Sequence, residues 1–320
     1  MPSVSRHLID PELIDLLDQF PTEPLSDENL GAIREAIRVP MPGDVAAPAV
    51  PLVESTRHVP GPRGAPDVEI LTYRPEAVAG PTGCIFHIHG GGYVAGDATA
   101  RQPAHRRLAA DLGCAIISVN YRLAPETRFP GSIEDCYAAL SWVFGNAAEL
   151  SIDRARIGVM GESAGGGLAA ALALLARDRG EFRLAFQHLI YPMLDDRTCV
   201  ARDPHPYAGE FLWTAHNNRF GWSALLGAAP GSTGVSPYAA AARASDLSKL
   251  PPTFLATGAL DLFVEENLEY ARRLMRAAVP VELRLYAGSY HAFDMHPTAR
   301  VAETARRDSQ AALARALGSD

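Results

Sequence analysis

The sequence lacks any long apolar run and any clustered basic segment. Among its 320 residues no stretch approaches the roughly 18 consecutive apolar residues of a membrane-spanning helix, and its N-terminal segment is too acidic for a signal peptide. The formal net charge is −8, with no long run of one sign. This balance argues against nucleic acid or an anionic membrane as a partner, and we expect a cytoplasmic protein.

Cysteines are also few, and the four present are widely spaced. Cys84 and Cys114 fall in apolar strand-like runs, Cys136 in a helical pattern and Cys199 in a predicted loop. No pair has the CxxC spacing of a redox or metal-binding motif. We therefore expect buried thiols rather than disulfides or metal ligands.

From residue 66 onward, apolar strand-like runs alternate with helical patterns. This order is typical of an α/β protein with a mostly parallel sheet covered on both faces. The predicted strands span residues 67–73, 84–89, 114–121, 156–160, 184–191, 253–258 and 281–286. The clearest helical patterns span residues 133–147, 164–178 and 267–278.

Two regions break the alternation and are predicted additions to the core domain. Residues 8–38 carry two amphipathic helical patterns, and a Pro-rich linker at residues 40–51 follows them. Residues 199–226 are aromatic and helical in pattern. Additions near the carboxyl ends of strands commonly shape a binding pocket.

A GxSxG motif, residues 161–165, lies where the predicted strand 156–160 meets a small-residue helix. At such a junction the motif describes a sharp turn that pushes the hydroxyl of Ser163 out over the sheet. The alternative is a Gly/Ser-rich helix start with Ser163 as its cap. A nucleophilic serine needs a base within hydrogen-bond reach, and that base needs an orienting carboxylate.

Candidates for the acid and the base follow two late strands. Asp261 comes soon after the predicted strand 253–258, and His291 follows the strand 281–286 behind a glycine-containing turn. The chain order serine, acid, histidine is that of an α/β-hydrolase.

Other carboxylates are rivals to Asp261. The rival acids are Glu265, Glu266, Asp195 and Asp196. The first two fall where a helix should begin and can serve its positive end. The last two follow an earlier strand, which is a poorer position for the acid of such a triad.

Three consecutive glycines, residues 90–92, follow the predicted strand 84–89. Attack by a serine on a carbonyl creates an oxyanion, and losing one hydrogen-bond donor to that oxygen can cost about 3 kcal/mol. Gly91 and Gly92 would supply two N–H groups from the loop, and Ala164 would supply a third. Glycine suits such a loop because no side chain keeps the substrate away from the backbone.

No cofactor or metal is predicted. His87 and His89 would place two imidazoles on one strand face, but no third ligand is evident. A catalytic zinc site normally needs three protein ligands.

Four separated motifs resemble those of the hormone-sensitive-lipase-like branch of α/β-hydrolases, the bacterial carboxylesterases. They are HGGGY (89–93), NYRLAPE (120–126), GESAGGG (161–167) and GSYHAF (288–293), in the order of the family. The resemblance covers residues 60–315, approximately. It implies an α/β-hydrolase fold with an eight-stranded, mostly parallel sheet, a helical cap, and ester hydrolysis without a cofactor.

The resemblance also implies a division of the chain. Residues 1–50 would be an N-terminal helical cap segment with its linker. Residues 51–320 would be the catalytic domain, with a second cap segment at about residues 199–226.

The same match implies roles for individual residues. Ser163, Asp261 and His291 would form the triad, and the oxyanion hole would comprise Gly91, Gly92 and Ala164. His89 would support the glycine loop, and the polar residues of NYRLAPE would tie a strand end to its neighbours.

Two positions depart from the family pattern. Glu162 stands before the serine where the family usually has aspartate, which keeps the acid and adds a methylene. Asp261 is followed directly by Leu262, whereas the family commonly has a proline there that stiffens the loop.

The predicted function is a serine carboxylesterase that hydrolyses short- to medium-chain acyl esters. The alternatives are a receptor-like homologue, because the family includes a plant hormone receptor, and an amidase or lactonase that uses the same triad. Aromatic side chains of the second cap segment would either line an apolar pocket or pack in the core: Tyr207, Phe211, Trp213, Phe220 and Trp222. The strand 281–286 is a predicted sheet edge at which a second copy can pair into a homodimer.

Overall fold

The computed structural model describes residues 3–17, 23–37, 50–77 and 80–318. Most of the predicted linker at residues 40–51 lies outside these ranges. Eight strands, β1 to β8, span Leu52–Val59, Val68–Pro75, Thr82–Ile88, Ala115–Asn120, Ile152–Glu162, Gln187–Ile190, Thr253–Gly258 and Val281–Tyr286. In the described ranges the α-helices, α1 to α8, span Ile14–Leu17, Leu30–Ile37, Gln102–Leu112, Gly131–Gly145, Ala164–Arg179, Ala215–Leu226, Val264–Arg276 and Arg300–Leu317.

The strands form one sheet in the order β1-β2-β4-β3-β5-β6-β7-β8. Strand β2 is antiparallel to both of its neighbours, and the other six strands, β3 to β8, are parallel to one another. The predicted eight-stranded, mostly parallel sheet is confirmed. Because the parallel strands all end at one edge, the loops after β3, β5, β7 and β8 lie at the same edge of the sheet.

Helices cover both faces of the sheet. Residues of α4, α5 and α7 pack into the largest apolar cluster, against inward side chains such as Phe86 and Val159. On the other face, α3 and α8 contribute Leu112, Leu313 and Leu317 to a second cluster. Strands β3, β4, β6 and β7 are almost entirely buried, as is β5 from Ile157 onward, as the apolar sequence runs predict.

The sequence patterns missed the first strand and the last helix. Strand β1 alternates poorly, and most of its residues are exposed or half-buried because it lies at the sheet edge. Predicted helical structure over residues 207–214 is wrong, since α6 begins only at Ala215. The side chain of Thr214 caps that helix by accepting a hydrogen bond from the backbone N–H of Asn217.

The N-terminal segment packs on the main domain and on α6. Leu13 and Leu16 are fully buried, and the Tyr290 hydroxyl donates to the carbonyl of Leu13 at 2.7 Å. The backbone N–H of Leu25 donates to the Asn217 side chain at 3.0 Å, which joins this segment to α6. No helix in the described ranges has the length and apolarity needed to cross a bilayer.

Candidate active site

Ser163 lies alone in the turn between β5 and α5. Its backbone has φ 55° and ψ −122°, a conformation that costs a non-glycine residue roughly 1–3 kcal/mol. Three backbone hydrogen bonds hold the turn: its N–H donates to Ile190 at 2.9 Å, and its carbonyl accepts from Gly167 at 3.0 Å and Met193 at 2.9 Å. The hydroxyl does not cap α5, so the structure disagrees with the alternative reading of Ser163 as a helix cap.

The two outer glycines of the motif are required by close backbone approach. A Cβ on Gly161 would lie 2.3 Å from the carbonyl oxygen of Gly165. A Cβ on Gly165 would lie 2.0 Å from the carbonyl oxygen of Ile88. Any side chain at either position would force β5, β3 and α5 apart, and would thereby move the serine.

Ser163, His291 and Asp261 form one continuous line of hydrogen bonds. The Ser163 Oγ lies 2.9 Å from His291 Nε2, and His291 Nδ1 lies 2.8 Å from Asp261 Oδ2. A carboxylate only accepts, so Nδ1 carries the ring proton and Nε2 is the acceptor for the serine hydroxyl. The structure therefore brings together the three side chains that the sequence singled out, in the geometry of a nucleophile, a base and an orienting acid.

Both carboxylate oxygens of Asp261 accept hydrogen bonds. Asp261 is fully buried, and its second oxygen, Oδ1, accepts from the backbone N–H of Phe263 at 2.9 Å. This local bond orients the carboxylate without the proline that the family pattern would lead one to expect at Leu262. The loop between β7 and α7 therefore supplies its own restraint.

The rival acids are engaged elsewhere. Glu265 is exposed on α7, and Glu266 accepts from the backbone N–H of Leu194 at 2.6 Å. Asp195 pairs with Arg197, and Asp196 pairs with Arg243.

Aromatic rings enclose the imidazole of His291. The ring of Tyr191 meets it edge-on at a centroid distance of 4.8 Å, that of Phe263 at 5.3 Å, and that of Trp213 is tilted at 6.2 Å. Sequence reasoning missed Tyr191 and Phe263, because neither belongs to a motif. This packing restricts rotation of the imidazole and excludes water from most of its surface.

The glycine loop presents free backbone donors beside the serine. Gly91 has φ +115° and Gly92 has φ +62°, both in the region that favours glycine. In the described part of the chain, no residue accepts a hydrogen bond from the N–H of Gly91, Gly92 or Ala164. These N–H groups are available to an oxygen of a bound molecule.

His89 supports this loop. Its Nδ1 lies 2.8 Å from the carbonyl oxygen of Gly90 and donates to it, and its ring stacks on Tyr121 at 4.3 Å. Burial lowers the pKa of His89 to about 4, so the ring is neutral at neutral pH and acts as a fixed hydrogen-bond donor.

Glu162, directly before the serine, anchors a buried polar network. Its carboxylate lies 2.9 Å from His87 Nε2 and 3.5 Å from the guanidinium of Arg101. Arg101 also reaches Asp294 at 3.3 Å, and Asp294 accepts from the Tyr191 hydroxyl at 2.6 Å. Burial alone would raise the pKa of Glu162, but the charges of His87 and Arg101 hold it well below its usual range. Nothing in the sequence signalled Arg101, which belongs to none of the four motifs.

His87 is thus part of this network. Its other ring nitrogen, Nδ1, lies 3.0 Å from the Ser118 hydroxyl. No group of three or more histidine, cysteine or acidic side chains able to hold a metal ion occurs among the residues that the structure describes.

The polar residues of NYRLAPE tie loops together. Arg34 of α2 pairs with Glu126 at 2.7 Å and donates to the carbonyl of Val94 at 2.7 Å, beside the glycine loop. Arg122 pairs with the buried Asp135 at 2.6 Å. These contacts hold α2 and α4 against the strand ends that carry the site.

The sequence is similar to that of known ester hydrolases. A model of the family described as having the alpha/beta hydrolase fold matches residues 85–295. Carboxylesterase NlhH from Mycobacterium tuberculosis is 35% identical over 287 residues, 88% of each chain. An arylesterase from Saccharolobus solfataricus is 35% identical over 214 residues, 66% of this chain and 68% of the relative.

The structure of nearly the whole chain is also similar to solved structures of esterases. A bacterial heroin esterase superposes with a TM-score of 0.88 at 39% identity, covering 98% of this chain and 99% of that one. The esterase LipW from Mycobacterium marinum superposes with a TM-score of 0.83 at 30% identity, covering 98% of each chain.

Proposed function

Because the chain belongs to the α/β-hydrolase family and is a carboxylic ester hydrolase, we propose that Ser163, His291 and Asp261 are its catalytic triad. The observation that carries this proposal is the line of two hydrogen bonds, 2.9 Å and 2.8 Å long, that joins the three side chains. The oxyanion hole is formed by the N–H groups of Gly91, Gly92 and Ala164.

The mechanism is a two-step acyl transfer. The Oγ of Ser163 bonds to the ester carbonyl carbon while His291 Nε2 takes the hydroxyl proton. The three N–H groups of the oxyanion hole bind the resulting oxyanion. The tetrahedral intermediate collapses, the bond to the alkoxy oxygen breaks, and His291 gives its proton to the leaving alcohol. Water then repeats the sequence on the acyl-enzyme and releases the acid, while Asp261 stabilises the imidazolium each time.

We further propose that the enzyme prefers short- to medium-chain acyl groups. Ser163 and His291 are each more than nine-tenths buried, and Trp213 lies between the glycine loop and His291. The N-terminal segment and the segment at residues 199–226, which act as a cap in this proposal, contact one another through Leu25 and Asn217. Such a covered site limits the length of acyl chain that fits.

Hydrolysis of p-nitrophenyl esters from acetate to palmitate tests both parts of the proposal. Ser163→Ala should lose roughly a millionfold in kcat and keep its fold by circular dichroism. Ser245→Ala, in an exposed loop, is the matched control. Full activity of Ser163→Ala would refute the nucleophile, whereas activity that rises steadily to palmitate would refute only the chain-length preference.

Two more expectations complete the proposal. We place the protein in the cytoplasm, which suits its four cysteines, all free and buried. We also propose a homodimer formed through β8, which is the last strand of the sheet and exposes half of Leu285. Light scattering on the wild type and on a Leu285→Lys variant tests the dimer.

A further inference from the structure

A cavity of about 280 Å³ lies between the sheet and helices α3 and α8. Its apolar lining includes Met160, Ile190, Ala256 and Phe293. None of the proposed triad or oxyanion residues lines it. Tyr191 lies between this cavity and the candidate active site, because its ring packs on His291 while its hydroxyl donates a hydrogen bond to Asp294 at the cavity wall.

Three guanidinium groups and two carboxylates also line this cavity. The arginines are Arg101, Arg107 and Arg306, and the acids are Asp111 and Asp294.

Both acids already have partners. Asp294 accepts from Tyr191 and pairs with Arg101. Asp111 lies 3.5 Å from Arg107 and accepts from the Gln310 amide at 3.1 Å. The remaining cation in the lining is Arg306.

Arg306 has no carboxylate within ion-pair distance in the described part of the chain. Its guanidinium donates to the backbone carbonyls of Asp294, His296 and Pro297, at 2.5, 2.7 and 2.9 Å. These bonds leave its Nε–H and one Nη2 hydrogen without an acceptor among the described residues. A guanidinium has five donors in a planar fork, so a further two-donor edge is open here.

Arg306 is a permanent cation with open donors, so its guanidinium can pair with an added anion. Partial burial lowers the pKa of Arg306, the carboxylates of Asp294 and Glu303 raise it, and the positive charges of Arg107 and Arg101 lower it to a smaller extent. A carboxylate bound in the cavity would accept charge-assisted hydrogen bonds from the free edge of the fork.

We propose that this cavity is a second ligand site, which binds a small carboxylate with an apolar body, its carboxylate on Arg306 and its body on the apolar lining. The apolar lining favours such an amphiphile over an inorganic anion, and the open donors of Arg306 favour it over a neutral apolar molecule. A volume near 280 Å³ is at the small end for ligand pockets, which sets the size at a medium-chain fatty acid or smaller. This inference does not depend on the proposed mechanism at Ser163.

Titration calorimetry with octanoate and octanol tests the site. Octanoate resembles a product of ester hydrolysis, so the active site is first blocked by reaction of Ser163 with diethyl p-nitrophenyl phosphate. We expect the blocked protein to bind one octanoate, at least tenfold more tightly than octanol, which has the same apolar length without the charge. Failure of the blocked protein to bind octanoate would overturn the proposal, as would equal affinity for both ligands.

Two neighbouring arginines supply the matched variants. In Arg306→Met the tenfold preference for octanoate over octanol should disappear. Arg306 and Arg307 are both exposed, but Arg307 does not line the cavity. In Arg307→Met the preference should therefore remain. Comparing the ratio of the two affinities separates loss of charge from a change of cavity shape, and an unchanged ratio in Arg306→Met would overturn the assignment.

Failure of the two proposals can be told apart. If the phosphate ester leaves the enzyme active, the proposed nucleophile is wrong. The octanoate to octanol ratio of the untreated variants then still decides whether Arg306 holds the carboxylate.

Discussion

The indole of Trp213 lies directly against the backbone of Gly92. A Cβ on Gly92 would sit 2.1 Å from the Cη2 atom of Trp213. Asn218, which is fully buried, accepts from the indole N–H at 3.2 Å. The segment before α6 therefore fixes an aromatic wall on the loop that carries two of the proposed oxyanion donors.

Gly92→Ala should lower kcat by at least a hundredfold, which is the scale for losing one oxyanion donor. The added methyl group would push the loop away from Trp213, and the φ of +62° would cost alanine roughly 1 kcal/mol more. Steady-state kinetics on p-nitrophenyl butyrate measures the effect.

Trp213→Ala is the companion variant for this prediction. It should restore part of kcat in the Gly92→Ala background, because it removes the atom that the methyl group meets. If the double variant is no faster than Gly92→Ala alone, the contact with Trp213 is not the cause of the loss.

Asp261→Asn should reduce kcat by about ten thousandfold while leaving the fold intact. The amide would favour the wrong tautomer of His291, so that Nε2 would no longer accept the proton of Ser163. Glu265→Gln, four residues further on and exposed, should keep wild-type activity. Equal losses in the two variants would contradict the assignment of Asp261.

Removing Arg101 should destabilise the protein through the buried carboxylates it serves. In Arg101→Met, Glu162 and Asp294 each lose a cationic partner. We expect a loss of about 2–3 kcal/mol in the free energy of unfolding, less than the roughly 3–5 kcal/mol of a fully buried pair, because Arg101 is partly exposed.

Urea unfolding of single and double variants tests this prediction. Arg101→Met combined with Glu162→Gln should recover part of the stability. The control is Arg107→Met, whose exposed pair with Asp111 should contribute less than about 1 kcal/mol. A double variant as unstable as the sum of its singles would show that Arg101 and Glu162 are not coupled.

His188 should make stability depend on pH in the acid range. Burial lowers its pKa to about 3 in the folded protein, below the value of about 6.5 for an exposed imidazole. The unfolded chain therefore binds a proton that the folded chain does not, and stability falls as the pH drops from about 6.5 towards 3, by up to about 1.4 kcal/mol per pH unit.

Urea unfolding between about pH 4.5 and 5.5 measures this slope. His188→Gln should reduce this slope by the contribution of about one bound proton, which is up to about 1.4 kcal/mol per pH unit. His7→Gln, at an exposed position, should not reduce the slope comparably. An unchanged slope in His188→Gln would show that His188 is not the group that takes up the proton.

Much of the fold was predictable because the apolar runs of the sequence coincide with the buried strands of the sheet. Strands β7 and β8 begin and end where the apolar runs predict, since each run is bounded by turn residues. Strand β1 was not predictable, because an exposed edge strand carries little alternation of apolar and polar residues. The irregular stretch at residues 207–214 was not predictable either, because the cap at Thr214 starts the helix after the apolar pattern has begun.

The sequence by itself determined which side chains could carry the proposed chemistry. Ser163, Asp261 and His291 follow three strands in the order of a hydrolase, and parallel strands must deliver the residues after them to one edge of the sheet. The glycines of the two motifs could also be predicted from the sequence, because sharp turns and close backbone approach both require glycine.

Only the tertiary structure decided what surrounds that chemistry. Arg101 meets Glu162, and Trp213 meets Gly92, across long sequence separations that no local pattern encodes. Such contacts arise from how α3 and the segment before α6 pack on the finished sheet. The open donors of Arg306 likewise exist only because α8 sets that side chain beside carbonyl groups of the loop after β8.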